Sequence, residues 1–218
     1  MAINVNFVKT SVELISNKVQ STGQITIDNL NNAFKIAQLD EVKAQMSTYE
    51  EGIMTSDNLS DLKVTKSIQV SSTGFATEPS NYFYFSSARV KYYVDNVPYE
   101  ADIDIIKETE LGLRFNSQIN PISKRFPVML LRSGGFQVYP TDIESVVLTY
   151  IKEPSDPVWA YTTLNGRPVY DSANSTDFEL PSDQATDIIY RVCQILGIRI
   201  RRQDLVQYGI VKEQETSQ

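Results

Sequence analysis

The sequence predicts an α+β protein in which an N-terminal helical hairpin and a C-terminal helix form a small bundle, with a central antiparallel β-sheet insertion and an extended arm. Apolar residues recur at helical spacing near both ends of the 218-residue chain. Alternating aromatic and β-branched residues follow from about Leu62. We expect four regions: a helical hairpin at 1–60, a β-rich region at 61–152, a proline-rich arm with a hairpin at 153–181, and a helix with a polar tail at 182–218.

Two helices are predicted in the first region. Apolar residues between Phe7 and Val19 indicate a short helix. A longer helix, roughly residues 27–49, begins after Thr26, whose hydroxyl suits an N-cap position. A link around residues 20–23 joins the two helices, so this region is predicted to be a helical hairpin.

The β-rich region is predicted to hold two hairpins, a further strand and a short helix. The hairpins pair residues 82–94 with 97–105 and residues 128–132 with 136–139, the further strand covers 145–151, and the helix covers 107–120. Short hairpin connections of this kind predict antiparallel pairing.

The arm contains the only tryptophan of the chain, Trp159, together with Tyr161 and Tyr170. An Asn-Gly pair at 165–166 predicts a tight hairpin turn. Aromatic residues anchor many protein interfaces because they bury a large area at a small cost in side-chain entropy. These three residues are therefore candidate subunit-interface residues, and packing within their own chain is the open alternative.

The last helix is predicted to begin after Ser182 and to end at Gly197. The dense basic patch of the sequence, Arg199, Arg201 and Arg202, follows it. Guanidinium groups at these positions could bind phosphates. They could equally complement the dipole of the preceding helix.

Two residue counts restrict the possible chemistry. The chain has no histidine, so the usual general base and the commonest transition-metal ligand are absent from its sequence. Its one cysteine excludes an internal disulfide and a cysteine-cluster zinc site. Cys193 lies in an apolar segment, which favours a buried and inert thiol. We therefore predict a protein that is not an enzyme and binds no cofactor or metal.

An acidic stretch supplies the alternative prediction, a metal-dependent hydrolase or transferase. Glu100, Asp102 and Asp104 would share one face of an extended strand, where their carboxylates could hold a divalent cation. An ordinary amphipathic strand with a solvated acidic side explains the same pattern, because Ile103 and its apolar neighbours alternate with these residues. No nucleotide-binding loop accompanies the stretch.

The net charge of −7 argues against a general attraction to nucleic acid. The chain begins without the basic and apolar segments of a secretion signal, and its apolar runs are too short to cross a membrane. We therefore expect synthesis in a cytoplasm and no membrane partner.

Three segments of the chain resemble structural proteins of tailed bacteriophages, particularly crAss-like phages that infect Bacteroidota. They are residues 14–38 (LISNKVQSTGQITIDNLNNAFKIAQ), residues 138–159 (VYPTDIESVVLTYIKEPSDPVW) and residues 178–181 (FELP). The segments occur in the order and at the spacing of that family, and the likeness extends over most of the chain.

The resemblance implies a virion protein of the neck or tail region, a ring or head-to-tail adaptor between portal and tail. Such adaptors form twelve-fold homo-oligomeric rings around the DNA channel and are helical bundles with a β-rich insertion. In such a ring, the basic patch Arg199, Arg201 and Arg202 would contact a neighbouring subunit or the DNA in the channel. The implied partners are other copies of the chain, the portal protein and the next tail or ring protein, with assembly in the host bacterial cytoplasm. A tail or capsid binding module is the remaining alternative.

Overall fold

The computed structural model describes residues 2–18, 26–49, 59–94 and 97–197. The chain divides into two compact units. The first unit comprises residues 1–61 and 154–218, and the second comprises residues 62–153. The predicted link at 20–23 lies outside the described residues.

The helices of the described residues are α1 (Val5–Lys18), α2 (Ile27–Tyr49), α3 (Glu108–Phe115) and α4 (Ala185–Ile195), with short 3-10 turns at Ser60–Leu62 and Ser182–Gln184. The strands are β1 (Ala2–Ile3), β2 (Lys63–Gln69), β3 (Phe75–Thr77), β4 (Tyr82–Val94), β5 (Val97–Asp102), β6 (Asp104–Ile105), β7 (Val128–Arg132), β8 (Gly135–Tyr139), β9 (Ser145–Lys152), β10 (Tyr161–Leu164), β11 (Arg167–Tyr170) and β12 (Phe178–Pro181).

In the first unit, α1 buries one stripe of its surface through Val5, Val8 and Val12, at spacings of three and four residues. The backbone N–H of Val5 donates to Asp177 Oδ1 (2.8 Å), so a side chain from the far end of the chain caps the first turn of α1. The start of α1 is therefore fixed to the segment that precedes β12.

The prediction that the helices form a small bundle is wrong. Within the described residues the structure has four α-helices and twelve strands in four sheets, so it is a mixed α+β protein with more strand than helix. Even in the first unit, β1 pairs with β12, and these strands contribute the buried side chains of Ile3, Phe178 and Leu180. The Phe178 ring contacts Phe34 of α2 edge to face, with centroids 5.4 Å apart. The predicted arm thus ends in a core strand, and this pairing between distant segments has no local sequence signal.

The second unit contains two four-stranded sheets. One has the order β2-β9-β4-β5 and is antiparallel throughout, and the other has the order β3-β8-β7-β6, with β6 parallel to β7. Both sheets contribute to one hydrophobic core, in which Leu148 and Tyr150 of the first sheet meet Met129 and Phe136 of the second. The chain crosses between the sheets at the buried Ile103.

Local sequence patterns placed most of these elements correctly. The helix predicted at 27–49 is α2, and the two predicted hairpins are formed by β4 with β5 and by β7 with β8. The strand predicted at 97–105 is too long, because β5 ends at Asp102 and residues 104–105 pair with β7 in the other sheet. The helix predicted at 107–120 is shorter than expected. It ends at Phe115 because the side-chain amide of Asn116 donates to the carbonyl of Gly112 (2.9 Å) and closes the last turn.

Candidate interaction surface

Trp159 is almost fully buried, with 2% of its surface exposed. Its indole Nε1 donates to Asn6 Oδ1 (3.0 Å), and the ammonium of Lys9 lies 4.3 Å from the ring centroid. The rings of Tyr161 and Tyr170 stack near the indole, each with its centroid 5.9 Å away. Trp159 therefore packs within its own unit and joins β10 and β11 to α1.

The segment around Trp159 is fixed to α2 by two side-chain amides. Asn31 accepts a hydrogen bond from the Trp159 backbone N–H (2.9 Å) and donates to the Trp159 carbonyl (3.4 Å). Gln38, two turns later on the same face, donates to the Ser155 carbonyl (2.8 Å) and accepts from the Glu179 N–H (2.9 Å). Each amide thus donates to a backbone carbonyl and accepts from a backbone N–H, as the backbone of a neighbouring strand would.

Beyond the segment that Asn31 and Gln38 fix to α2, β10 and β11 form a hairpin with a two-residue turn. Asn165 and Gly166 both have positive φ, 51° and 75°, as a type I′ turn requires, which confirms the predicted turn. Seven of the eight strand residues are exposed. The exposed residues include Leu164 at 63% and Val169 at 43%. Leu164 and Val169 therefore leave apolar surface exposed on a hairpin whose base is fixed.

The two faces of this hairpin differ. Cross-strand partners share a face, and the register pairs Tyr161 with Tyr170, Thr162 with Val169, Thr163 with Pro168, and Leu164 with Arg167. Tyr161, Tyr170, Thr163 and Pro168 therefore lie on the face next to Trp159. Thr162, Leu164, Arg167 and Val169 lie on the opposite face, which we call the hairpin face.

Trp159, Tyr161 and Tyr170 were predicted as subunit-interface residues, and the structure brings all three together. Trp159 is buried inside its own unit, whereas Tyr161 remains about half exposed. A role of these residues between subunits stays a prediction. The basic patch Arg199, Arg201 and Arg202 lies outside the described residues.

The acidic stretch does not form one cluster. Glu100 and Asp102 lie on β5 and face Arg89, at 3.7 Å in each pair, while Lys91 lies 3.2 Å from Glu100. Asp104 belongs to β6 in the other sheet and pairs with Arg114. Across residues 2–18, 26–49, 59–94 and 97–197, no group of three or more acidic, histidine or cysteine side chains is placed to hold a metal. These carboxylates form cross-strand and local ion pairs on an exposed surface.

Cys193 lies on α4 with 1% of its surface exposed. Burial raises the pKa of the Cys193 thiol to about 11. The thiolate that a nucleophile needs is therefore scarce at neutral pH, as the apolar sequence around this residue predicted.

Sequence patterns did not identify Asn31 and Gln38 as the residues that fix the base of the hairpin to α2. Their spacing of seven residues on α2 places two amides on one face of a helix whose neighbouring positions, such as Phe34 and Ala37, are buried. Amides beside an apolar stripe are the available signal, because buried polar groups require partners. The partners themselves are backbone groups more than a hundred residues away, which no local pattern identifies.

Comparison of the chain with protein-family models and with curated proteins gave no match. In the described part of the chain, no helix combines the length and the hydropathy needed to cross a membrane.

Proposed function

We propose that this chain is a virion structural protein, a head-to-tail connector ring or adaptor between the portal and the tail of a tailed bacteriophage. It forms a twelve-fold homo-oligomeric ring around the DNA channel and binds the portal protein on one side and the next ring or tail protein on the other. It acts through docking surfaces and has no catalytic role.

One observation carries the proposal beyond sequence resemblance: the β10–β11 hairpin is exposed while its base is fixed. Asn31 and Gln38 bind the backbone on either side of the hairpin, and Trp159 packs at its foot. Order at the base means that little conformational entropy is lost when the exposed face binds. An exposed apolar hairpin on a fixed base is suited to contact an adjacent protomer in a ring, where each subunit uses two different surfaces.

The charge of the chain is compatible with a DNA channel. With a net charge of −7, its surface as a whole repels phosphate. A lumen that does not hold DNA tightly lets the genome move through it, whereas a basic lumen would retain it.

Mass measurement of the purified chain, alone and mixed with the portal protein of the same phage, tests the proposal. We expect a high-order assembly in the mixture, with a copy number that matches the portal, even where the isolated chain is a monomer. Failure to associate with the portal or with the adjoining ring protein would contradict the proposal.

A matched pair of variants tests the part played by the hairpin. Leu164→Ala removes the most exposed apolar side chain of the hairpin face and is expected to weaken ring assembly, because the contact then buries less apolar area. Thr163→Ala shortens a side chain on the opposite face of the same strand and is expected to assemble like the unsubstituted protein. Equal loss of assembly in both variants would contradict the assigned contact face.

A further inference from the structure

The second unit exposes an apolar surface at the far end of β4 and β5. β4 pairs with β9 only as far as Val90, and beyond that residue it pairs only with β5. Residues 91–94 and 97–100 thus form a two-stranded extension of the sheet. Side chains alternate along each strand, so Tyr92, Val94, Val97 and Tyr99 share one face, which we call the extension face.

The outer part of the extension face is apolar and exposed, whereas Tyr92 is partly buried and packs against the core of the second unit. Val94, Val97 and Tyr99 each keep 47–49% of their surface exposed. The rings of Tyr92 and Tyr99 stack with centroids 5.7 Å apart. Val94, Val97 and Tyr99 therefore form a small exposed apolar surface that a partner could cover.

The free edge of β5 is unsuited to strand addition. Pro98 lacks a backbone N–H, and the charged residues Glu100 and Asp102 lie along the same strand. Proline and charge are common means of blocking edge-to-edge pairing. The partner is therefore expected to pack on the face of the ribbon.

The hairpin face has the matching chemistry and size. It consists of two cross-strand rows, Leu164 with Arg167 near the turn and Thr162 with Val169 behind it. Arg167 is exposed and has no ion pair within the described residues. The extension face also has two rows, an aliphatic row where β4 ends and β5 begins and the stacked tyrosines behind it.

We propose that the extension face of one copy receives the hairpin face of the next copy, with the two ribbons antiparallel. This inference rests on the proposed ring. In this orientation Val169 packs on Val94 and Val97, and the Arg167 guanidinium lies over the Tyr92 and Tyr99 rings, which attract a cation through their π faces.

The proposed contact is suited to a ring that assembles on a platform. The two faces are different surfaces of one chain, so the contact is heterologous and passes from copy to copy. Stable interfaces bury about 800 Å² on each partner, and two short rows of side chains fall well below that area. The contact therefore forms when a portal holds neighbouring copies side by side.

Cross-linking between two variants that each add one cysteine to the chain tests the proposal. Val169→Cys and Val97→Cys are mixed on the portal and treated with a short bismaleimide. We expect cross-linked dimers only in the mixture. Thr163→Cys mixed with Tyr93→Cys is the control, because both positions lie on the opposite faces of their ribbons. The unsubstituted protein controls for Cys193, which is buried.

The possible results separate this inference from the proposed function. Assembly on the portal without the cross-link between positions 169 and 97 overturns the inference and leaves the ring proposal standing. Cross-linking of Val97→Cys with itself overturns it in favour of a symmetric dimer. Failure of every variant and of the unsubstituted protein to assemble on the portal overturns both proposals.

Substitution of Arg167, the cation of the proposed contact, provides an independent test. Arg167→Ala is expected to weaken assembly on the portal several-fold, and Arg167→Lys to weaken it less, because lysine retains a charge over the rings. Thermal unfolding should be unchanged in both variants, since the side chain is exposed. Equal assembly by Arg167→Ala and the unsubstituted protein would overturn the contact with Tyr92 and Tyr99.

Discussion

Gln38 joins α2 to both ends of the segment that carries the β10–β11 hairpin, and its removal should destabilise the first unit measurably. The side chain is 1% exposed and makes hydrogen bonds of 2.8 Å to Ser155 and 2.9 Å to Glu179. Gln38→Ala leaves a backbone carbonyl and a backbone N–H without these partners. Ser155 is exposed, so its carbonyl can bind water instead, whereas the Glu179 N–H is partly buried. We therefore expect the free energy of unfolding to fall by about 1–3 kcal/mol.

Urea unfolding followed by tryptophan fluorescence is the appropriate assay. Trp159 is the only tryptophan of the chain and lies in the first unit, so its emission reports on the unit that contains Gln38. Lys35→Ala is the control. It removes a half-exposed ion pair from the same helix to Asp156, which is worth about 1 kcal/mol or less.

Gln38→Glu tests whether the side chain at position 38 must both donate and accept a hydrogen bond. The new carboxylate still accepts from the Glu179 N–H, but it faces the Ser155 carbonyl without a proton to donate. Protonation restores the donor and is therefore favoured in the folded state, so the loss of stability should be full at neutral pH and shrink as the pH falls. A loss in Gln38→Ala no larger than in Lys35→Ala, or a pH-independent loss in Gln38→Glu, would refute the assigned hydrogen bonds.

Two other predictions concern single residues. A Cβ at Gly135 would overlap the carbonyl oxygen of Ala76 on the paired strand β3. Gly135→Ala should therefore lower the midpoint of thermal unfolding by several degrees. Gly112→Ala should leave the midpoint unchanged, because there is open space around the added carbon. Because burial raises the pKa of Cys193 to about 11, the thiol of the folded protein should react with a maleimide far more slowly at pH 7 than the thiol of the urea-unfolded protein. Equal rates in the two states would show that this thiol is accessible.

Elements defined by local patterns were predictable from sequence, and long-range pairings were not. The apolar spacing after Thr26 located α2, and the Asn-Gly pair at 165–166 located the turn between β10 and β11. In contrast, the pairing of Ile3 with Phe178 joins short strands from distant parts of the sequence. Strands of two to four residues carry too few alternations to be recognised.

The candidate surface was predictable only in part. The aromatic character of the arm identified Trp159 and its two tyrosines, but sequence could not distinguish a buried tryptophan from an exposed one. Its burial depends on Asn6 and Lys9 of α1. The exposure of Leu164 and Val169 could not be predicted from sequence, because single aliphatic residues in strands usually face a core. Their exposure follows from the two-stranded hairpin, which has only one face against the rest of its unit.

The first unit is assembled from two separated stretches of the chain, and this affects the order of folding during synthesis. Residues 62–153 are complete as a unit before the ribosome has made β12 and α4. Until those elements emerge, the apolar stripes of α1 and α2 lack the strands and helix that cover them in the finished protein. The nascent chain therefore passes through a stage with one folded unit and two uncovered helices, when chaperone binding or aggregation competes most strongly with folding.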